Sequence, residues 1–420
     1  MQVIPAVIGL ITVLVILKKR FSLGTALVAG AMVTALGAGY GFLDTAGLIW
    51  RVVTSASSMR LITLVIFSAL FSYFLNHFGL LEKMVHTLEE WIPYRSGQLM
   101  LIPALIAMCL FTPGGAMTSA SMIESLLAEE PLSAGVKSGI NLWFRVAGRL
   151  VVPFIPSLIL VAELGGVNPR SVILTLLPVT AGAFAFGYLF LLRPLHLGVN
   201  AGHTGVLAHP GAGFRGKVVR FVQLGYPYLP LITVTAIALL THVSFVVALL
   251  IGIVLIIAIG VGVERRGFGW AEVRAGIDLG LLWMIIGIVV FRGVLVESRS
   301  VEPVVEFLVR VGFPAELLFF LVPMGLSVLL ASIIATIGIS MPLLLPFFAS
   351  SPAATLYVSF IYLTATSGFH LSPFNIDSVF TRRYFNSSLR AFYRRFVPPM
   401  VATLLLAVLV AWGGWFKAIR

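Results

Sequence analysis

Charge is what this chain has least of. Only 10% of its 420 residues are Asp, Glu, Lys or Arg, while 59% are hydrophobic. A soluble domain carries about a quarter charged and about half apolar residues. That shortage excludes a soluble enzyme and a disordered protein. Cysteine is almost missing too. Cys109 stands alone in an apolar run, which excludes a disulfide scaffold and any cysteine-based metal site. Histidines are few, seven in all. His196, His203 and His209 fall among glycines at spacings that match no common zinc pattern, and no His-Glu-x-x-His sequence occurs. No metal centre and no organic cofactor are therefore expected, with Na⁺ entering only as a coupling ion. Negative charge is the scarcer sign, 16 acidic residues against 28 Lys and Arg, for a net charge of +12. Such a balance marks a nucleic-acid partner when cations cluster on one face. Here the mean hydropathy is +1.06, and the cations distribute as orientation signals. No nucleic-acid partner is expected.

Apolar sequence is abundant, in stretches near the roughly 20 residues that cross a bilayer core of about 30 Å. Ten spans are predicted, at about 3–17, 22–42, 61–79, 140–165, 171–192, 224–242, 243–262, 278–297, 355–375 and 397–416. Lys18, Lys19 and Arg20 follow the first of these rather than precede it, the wrong order for a cleaved signal peptide. Two more stretches, 98–129 and 315–349, are too long for one helix and too broken for two, and read as re-entrant hairpins. With the N-terminus outside, 18 cations fall in cytoplasmic loops and seven in external ones, and Arg145, Arg149 and Arg292 lie within spans. This bias puts both termini outside. Trp50, Trp91, Tyr94, Trp412 and Trp415 fall near span ends, as an aromatic belt requires. The lipid bilayer is the first expected partner.

An internal repeat is visible in the prolines. Pro103 and Pro323, Pro153 and Pro373, and Pro178 and Pro398 are each 220 apart, as are Gly148 and Gly368, Phe154 and Phe374, and Phe71 and Phe291. The chain divides into a first repeat at 1–195, a linker at 196–223 and a second repeat at 224–420. Each repeat crosses five times, an odd number, so the second is inverted. Inverted repeats with broken elements are the pattern of secondary transporters, whose sites lie near the midplane. The expected fold is an all-α polytopic membrane protein of ten spans and two re-entrant hairpins.

Candidate site residues gather at the breaks. Residues 112–121 read TPGGAMTSAS. Thr112, Gly114, Gly115, Thr118, Ser119 and Ser121 are the candidates there. Half-helix N-termini offer N–H groups to an anion, while hydroxyls and unwound carbonyls coordinate Na⁺. The plainer reading is an ordinary helix with small residues for close packing. Thr336, Gly338 and Ser340 are the sparser counterpart in the second hairpin. In the fourth span Asn141 precedes Arg145 and Arg149, which are four apart and share a face. Arg149 lies about 15 Å in from Gly139, near mid-bilayer. A guanidinium there grips a carboxylate through two parallel hydrogen bonds; the alternative is an ion pair or a cap on freed carbonyls. The matching stretch, 365–377, offers Ser367, Gly368, His370, Ser372, Asn375 and Asp377. Asp377 either neutralises Na⁺, carries a proton, or is solvated near the cytoplasmic face. Cation coupling is assigned to Thr112, Ser119, Thr336, Ser340, Ser372 and Asp377. Glu124 pairs with an arginine or faces water, and Arg292 reaches outward to the interface. Gly24, Gly30, Gly37, Gly39 and Gly41 suit close helix packing, possible at a dimer contact.

Several short motifs resemble one prokaryotic membrane family. They are PGGAMTSASM at 113–122, NLWFR at 141–145, LSP at 371–373, YF at 384–385 and FYRRFVPP at 392–399. The family is catalogued as domain of unknown function four-zero-one and grouped in the ion-transporter superfamily with citrate, gluconate and divalent-anion symporters. The chain departs from its pattern at Ser121, Asn375 and Asp377, where the family carries proline, histidine and cysteine. The resemblance implies an elevator-type transporter, in which a transport domain holding both hairpins moves against a scaffold, in a homodimer of a prokaryotic cell membrane. It brings no substrate with it. The leading functional expectation is a secondary transporter of a small anion, a carboxylate by preference, coupled to Na⁺ or H⁺. The competing readings are a channel or exporter of a small neutral or inorganic solute, and an intramembrane enzyme using Asp278 with Asp377, or Ser367 with His370. A base three residues from its serine is poor triad geometry, so no catalytic residue is assigned.

Overall fold

A computed structural model describes residues 3–19, 21–110, 114–128, 130–197, 224–241, 243–298, 310–311 and 314–412. Thr112, Trp415 and most of the 196–223 linker, with His203 and His209, lie outside the described residues.

Every regular element described is a helix. In the first half these are α1 Val3–Lys18, α2 Leu23–Gly37, α3 Phe42–Thr54, α4 Ala56–His77, α5 Leu80–Trp91, α6 Arg95–Cys109, α7 Gly114–Leu126, α8 Ala134–Arg149, α9 Pro156–Gly165 and α10 Pro169–Gly187. The second half has α11 Leu229–Leu240, α12 Phe245–Gly262, α13 Trp270–Gly276, α14 Leu279–Glu297, α15 Ala315–Leu330, α16 Ile333–Leu344, α17 Ala354–Leu371, α18 Ile376–Tyr384 and α19 Leu389–Trp412. Helices are the natural outcome for so apolar a sequence, because each backbone polar group is satisfied within its own segment. Among the described residues, five stretches are long and apolar enough to cross a membrane: Ala56–His77, Pro169–Leu195, Phe245–Gly262, Leu279–Glu297 and Leu389–Ala411. They coincide with five of the ten expected spans. Large apolar side chains such as Leu43, Leu240, Leu329 and Leu409 are exposed, which fits a membrane-embedded protein.

The expected spans at 140–165 and 355–375 are both interrupted, α8 from α9 at 150–155 and α17 from α18 at 372–375. Within the 315–349 stretch the chain breaks at Ala331 and Ser332, before Thr336, Gly338 and Ser340, the candidates expected at the break. Ala331 ends α15 at φ 48°, and Ser332 caps α16 by accepting the Ala335 N–H on its hydroxyl. A serine N-cap satisfies one orphan donor of the first turn. Thr336, Gly338 and Ser340 are therefore helical.

The helix starts keep one register across the halves. Those of α6, α8, α9 and α10 at 95, 134, 156 and 169 recur at 315, 354, 376 and 389, each 220 later; α7 at 114 is answered by α16 at 333.

Contacts divide the chain into two compact units: Met1–Ala69 with Pro156–Val172 and Ile277–Phe369, and Leu70–Ile155 with Ile173–Gly276 and His370–Arg420. Neither unit is a sequence half; each draws helices from both.

In the first unit α2 packs against α1 and α14 through glycines. A Cβ on Gly30 would lie 2.8 Å from the Gly9 carbonyl, and one on Gly287 would lie 2.7 Å from that of Gly24. Gly24 and Gly30 are thus consumed by packing within the chain, which replaces the expected dimer role for those two. Asp278 caps α14, accepting the Leu281 N–H at 2.9 Å. α16 packs against α9, α14 and α15, and α17 meets α15 where a Cβ on Gly368 would lie 2.5 Å from the Met324 carbonyl.

In the second unit α8 is buried along nearly its whole length and packs on α6, α7, α18 and α19. It approaches α6 so closely that a Cβ on Gly148 would lie 2.7 Å from the Ala104 Cα. Gly148 with Ala104 and Gly368 with Met324 are the same pair of positions, 220 residues apart. The indole N–H of Trp143 donates to the Ala183 carbonyl at 2.9 Å. Phe71 stacks at a tilt on Phe154, centroids 4.8 Å apart.

Candidate functional site

The second unit gathers most of the charged candidates. Arg145 and Arg149 leave one face of α8 one turn apart, and both are buried, 0% and 8% exposed. A guanidinium in such a place needs a carboxylate or a set of carbonyls, and it has both. Arg149 Nη1 donates to Asp377 Oδ2 at 2.9 Å. Its Nε reaches the Ala107 carbonyl at 3.3 Å and its Nη2 the Leu110 carbonyl at 3.5 Å, where the last turn of α6 leaves acceptors without helical donors. Arg145 Nη1 donates to the Gly115 carbonyl at 2.7 Å and to Ser119 Oγ at 3.3 Å, with its Nη2 3.7 Å from Asp377 Oδ2. The two arginines therefore divide the work. Arg145 ties α8 to the first turns of α7, while Arg149 holds the carboxylate and the end of α6.

Asp377 is delivered by α18. Asn375 is the N-cap, its Oδ1 accepting the N–H groups of Asp377 at 2.8 Å and Ser378 at 3.3 Å. Asp377 falls in the first turn, where the positive end of the helix favours a carboxylate. At 3% exposure it is buried, and the reading that left it solvated does not hold. His370 lies behind the cap, its Nδ1 3.2 Å from Asn375 Nδ2. Asn141 Nδ2 donates to the Ala116 carbonyl at 3.2 Å and to Thr381 Oγ1 at 3.1 Å. Ser372 is buried in the turn before α18, its hydroxyl accepting the Phe374 N–H at 3.3 Å.

Gly115 is tightly enclosed: a Cβ would lie 3.0 Å from Leu110 Cβ and 3.4 Å from Arg145 Nη2, so its neighbours would have to give way. Ser119 faces inward beside it, whereas Gly114, Thr118 and Ser121 are exposed. The hydroxyls of Thr118 and Ser121 donate back to carbonyls of their own helix, Gly114 and Thr118. Glu124, expected to pair with an arginine or to face water, pairs with Lys137 at 3.0 Å and has a side chain 45% exposed.

The remaining candidates belong to the first unit. Thr336 and Ser340 are one turn apart on α16, fully buried, and neither hydroxyl has a hydrogen-bond partner among the described residues. Gly338 is a packing position, where a Cβ would lie 2.5 Å from Ile288 Cγ1. Ser367 is buried on α17. Arg292 is half-buried and lines a cavity of about 310 Å³ with Arg51, Glu163 and the hydroxyl group Ser55, Ser57 and Ser58. Glu163 there is paired with Arg60 at 2.7 Å.

Sequence reasoning missed Thr381, one turn after Asp377 on the same face of α18, and the carbonyls of Ala107 and Leu110. The spacing of Asp377 and Thr381 was a readable signal; carbonyls carry none.

The chain belongs to the family described as a protein of unknown function, DUF401, whose model matches residues 3–413. No curated protein matches the chain.

Proposed function

We propose that this chain is a secondary active transporter of a small anion, a carboxylate by preference, coupled to Na⁺ or H⁺ by alternating access. The observation that carries the reading is the buried cluster of Arg145, Arg149 and Asp377, which joins the base of one helical hairpin to the first turn of a broken helix. Ionisable groups at membrane depth are costly, and they mark solute pathways by default. Asp377 occupies the place on Arg149 that a substrate carboxylate would take, so anion entry and release of Asp377 are one exchange.

The repeat supports the transport reading. Five consecutive helices recur at an offset of 219 or 220 with the same close contact between the first and third. An odd number of crossings per repeat makes the second inverted, as in secondary transporters. In this reading α6–α7 and α15–α16 are re-entrant hairpins. Arg149 and Asn375 then lie at the substrate site, and the buried hydroxyls of Thr336 and Ser340 belong to the cation site. The protein works as an elevator in a homodimer of a prokaryotic cell membrane, with both ends outside as the cation bias requires.

The test is uptake of labelled organic anions into proteoliposomes, with and without an inward Na⁺ or proton gradient. Saturable, gradient-dependent uptake is expected. Non-saturating flux that follows only the anion's own gradient would make the protein a channel instead.

A further inference from the structure

The charge of the cluster narrows what it can take. Arg145 and Arg149 bring two positive charges and Asp377 one negative. His370 adds none. Asn375 Oδ1 is occupied by two backbone N–H groups, so the amide end facing His370 Nδ1 is Nδ2, which only donates. His370 Nδ1 therefore accepts and carries no proton, and the ring is neutral. Around the cluster, α6 contributes only Arg95, paired with Glu130 at 3.2 Å, and Glu124 of α7 is paired with Lys137 of α8. Arg383, Arg390, Arg394 and Arg395 are exposed and Arg382 is half-buried, and among the described residues the ion pairs of Asp377 are with Arg145 and Arg149, with none of these five. One unit of positive charge is left uncompensated in a buried place.

We infer that the site selects a singly charged anion. The inference rests on the anion-transport reading and goes beyond it by fixing the charge of the substrate. A monocarboxylate that takes the place of Asp377 on Arg149 brings the buried total to zero, with Asp377 still ionised and held in the cluster by Arg145, whose Nη2 is 3.7 Å from its Oδ2. A dicarboxylate leaves one negative charge in excess, which burial penalises heavily. Asp377 is thus the residue that sets the charge preference. Replacing it with a neutral isostere leaves two positive charges, which a dianion neutralises.

The test is a set of binding titrations on the full chain in lipid nanodiscs. Acetate and propionate are compared with malonate and succinate at about pH 7.5, where all these carboxyls are ionised. The wild type should bind the monocarboxylates at least about tenfold more tightly. Asp377→Asn should reverse the order, and Asp377→Glu should keep it. Tighter binding of malonate or succinate by the wild type overturns the inference, as does an Asp377→Asn protein with the wild-type order. Either result leaves anion transport standing. Binding of none of the four sinks both the inference and the anion site beneath it. Should Asp377→Asn fail to fold, the wild-type order decides alone.

Discussion

In the second unit Asn141, Arg145, Arg149 and Asp377 are joined by hydrogen bonds to α6, α7 and α18. The positions 220 residues away, all in the first unit, hold Ile361, Ala365, Phe369 and Ser157. Both units use the same helix scheme: a proline-bearing helix, a short helix, a glycine-notched helix, and a short helix from the other half of the chain, α18 in one and α9 in the other. One carries three buried charges on it. The other carries none at those positions and keeps two buried hydroxyls, Thr336 and Ser340, without hydrogen-bond partners among the described residues. The scaffold therefore does not require the charges. Retaining them costs desolvation in one unit only, and function explains that asymmetry better than packing.

The largest effect should come from moving charge to the wrong unit. Ala365 is fully buried, and Ala365→Arg puts an unpaired guanidinium there at a cost of several kcal/mol. No folded protein is expected by size-exclusion chromatography, whereas Ala365→Ser should purify normally. Recovery of well-folded Ala365→Arg protein would mean that the first unit also tolerates charge.

Within the second unit, Arg149→Ala or Asp377→Ala alone should lower stability by about 3–5 kcal/mol, because each strands a buried partner. The double variant should regain much of that loss in thermal unfolding while remaining unable to take up anions. Additive losses would mean that the two side chains do not act as a pair.

The glycine notches sharpen the shared part of the scheme. Gly148→Ala and Gly368→Ala each drive a Cβ into backbone and should cost about 1–3 kcal/mol. Uptake per folded molecule should fall more for Gly148→Ala, which displaces Arg149 next to it. Equal effects on uptake would remove the functional distinction between the units.

The smallest effect concerns an ion pair outside the spans. Lys83 Nζ donates to Glu264 Oε2 at 2.5 Å and to the Tyr226 hydroxyl at 2.9 Å. The hydrogen bond to Glu264 holds Lys83 above its ordinary value of 10.5. Burial acts to raise Glu264, but the bonds from Lys83 and Tyr226 outweigh it and keep the carboxyl below its ordinary 4.5. A depressed carboxyl contributes its stability above the ordinary value and loses it as pH falls further. A raised amine contributes below its ordinary value and loses it as pH rises further. The pair should thus hold throughout the interval between 4.5 and 10.5 and weaken on both sides. Lys83 is 48% exposed at its side chain, so Lys83→Met should cost no more than about 1 kcal/mol. A thermal-stability profile flat to low pH would remove Glu264 from this account.

The all-helical fold and five membrane-length stretches were legible in the sequence because apolar helices are written in hydropathy, and the 220-residue spacing of the helix starts has its counterpart in the prolines at 103, 153 and 178. The pairing of Arg149 with Asp377 was not, since 228 residues separate them and no periodicity links different helices. The break at Ala331 was not legible because alanine looks like any apolar helix residue; only Ser332, an N-cap type, marks the boundary. Gly338 and Gly368 sit at close helix approaches, and glycine in apolar sequence carries both readings, site and packing.

The central claim is that Arg149 and its carboxylate form the anion site. It is tested most directly by gradient-driven uptake of a labelled carboxylate into proteoliposomes holding wild-type or Arg149→Gln protein, each checked for native elution. Loss of uptake by a folded Arg149→Gln protein is the result predicted. Uptake at the wild-type rate would contradict the account.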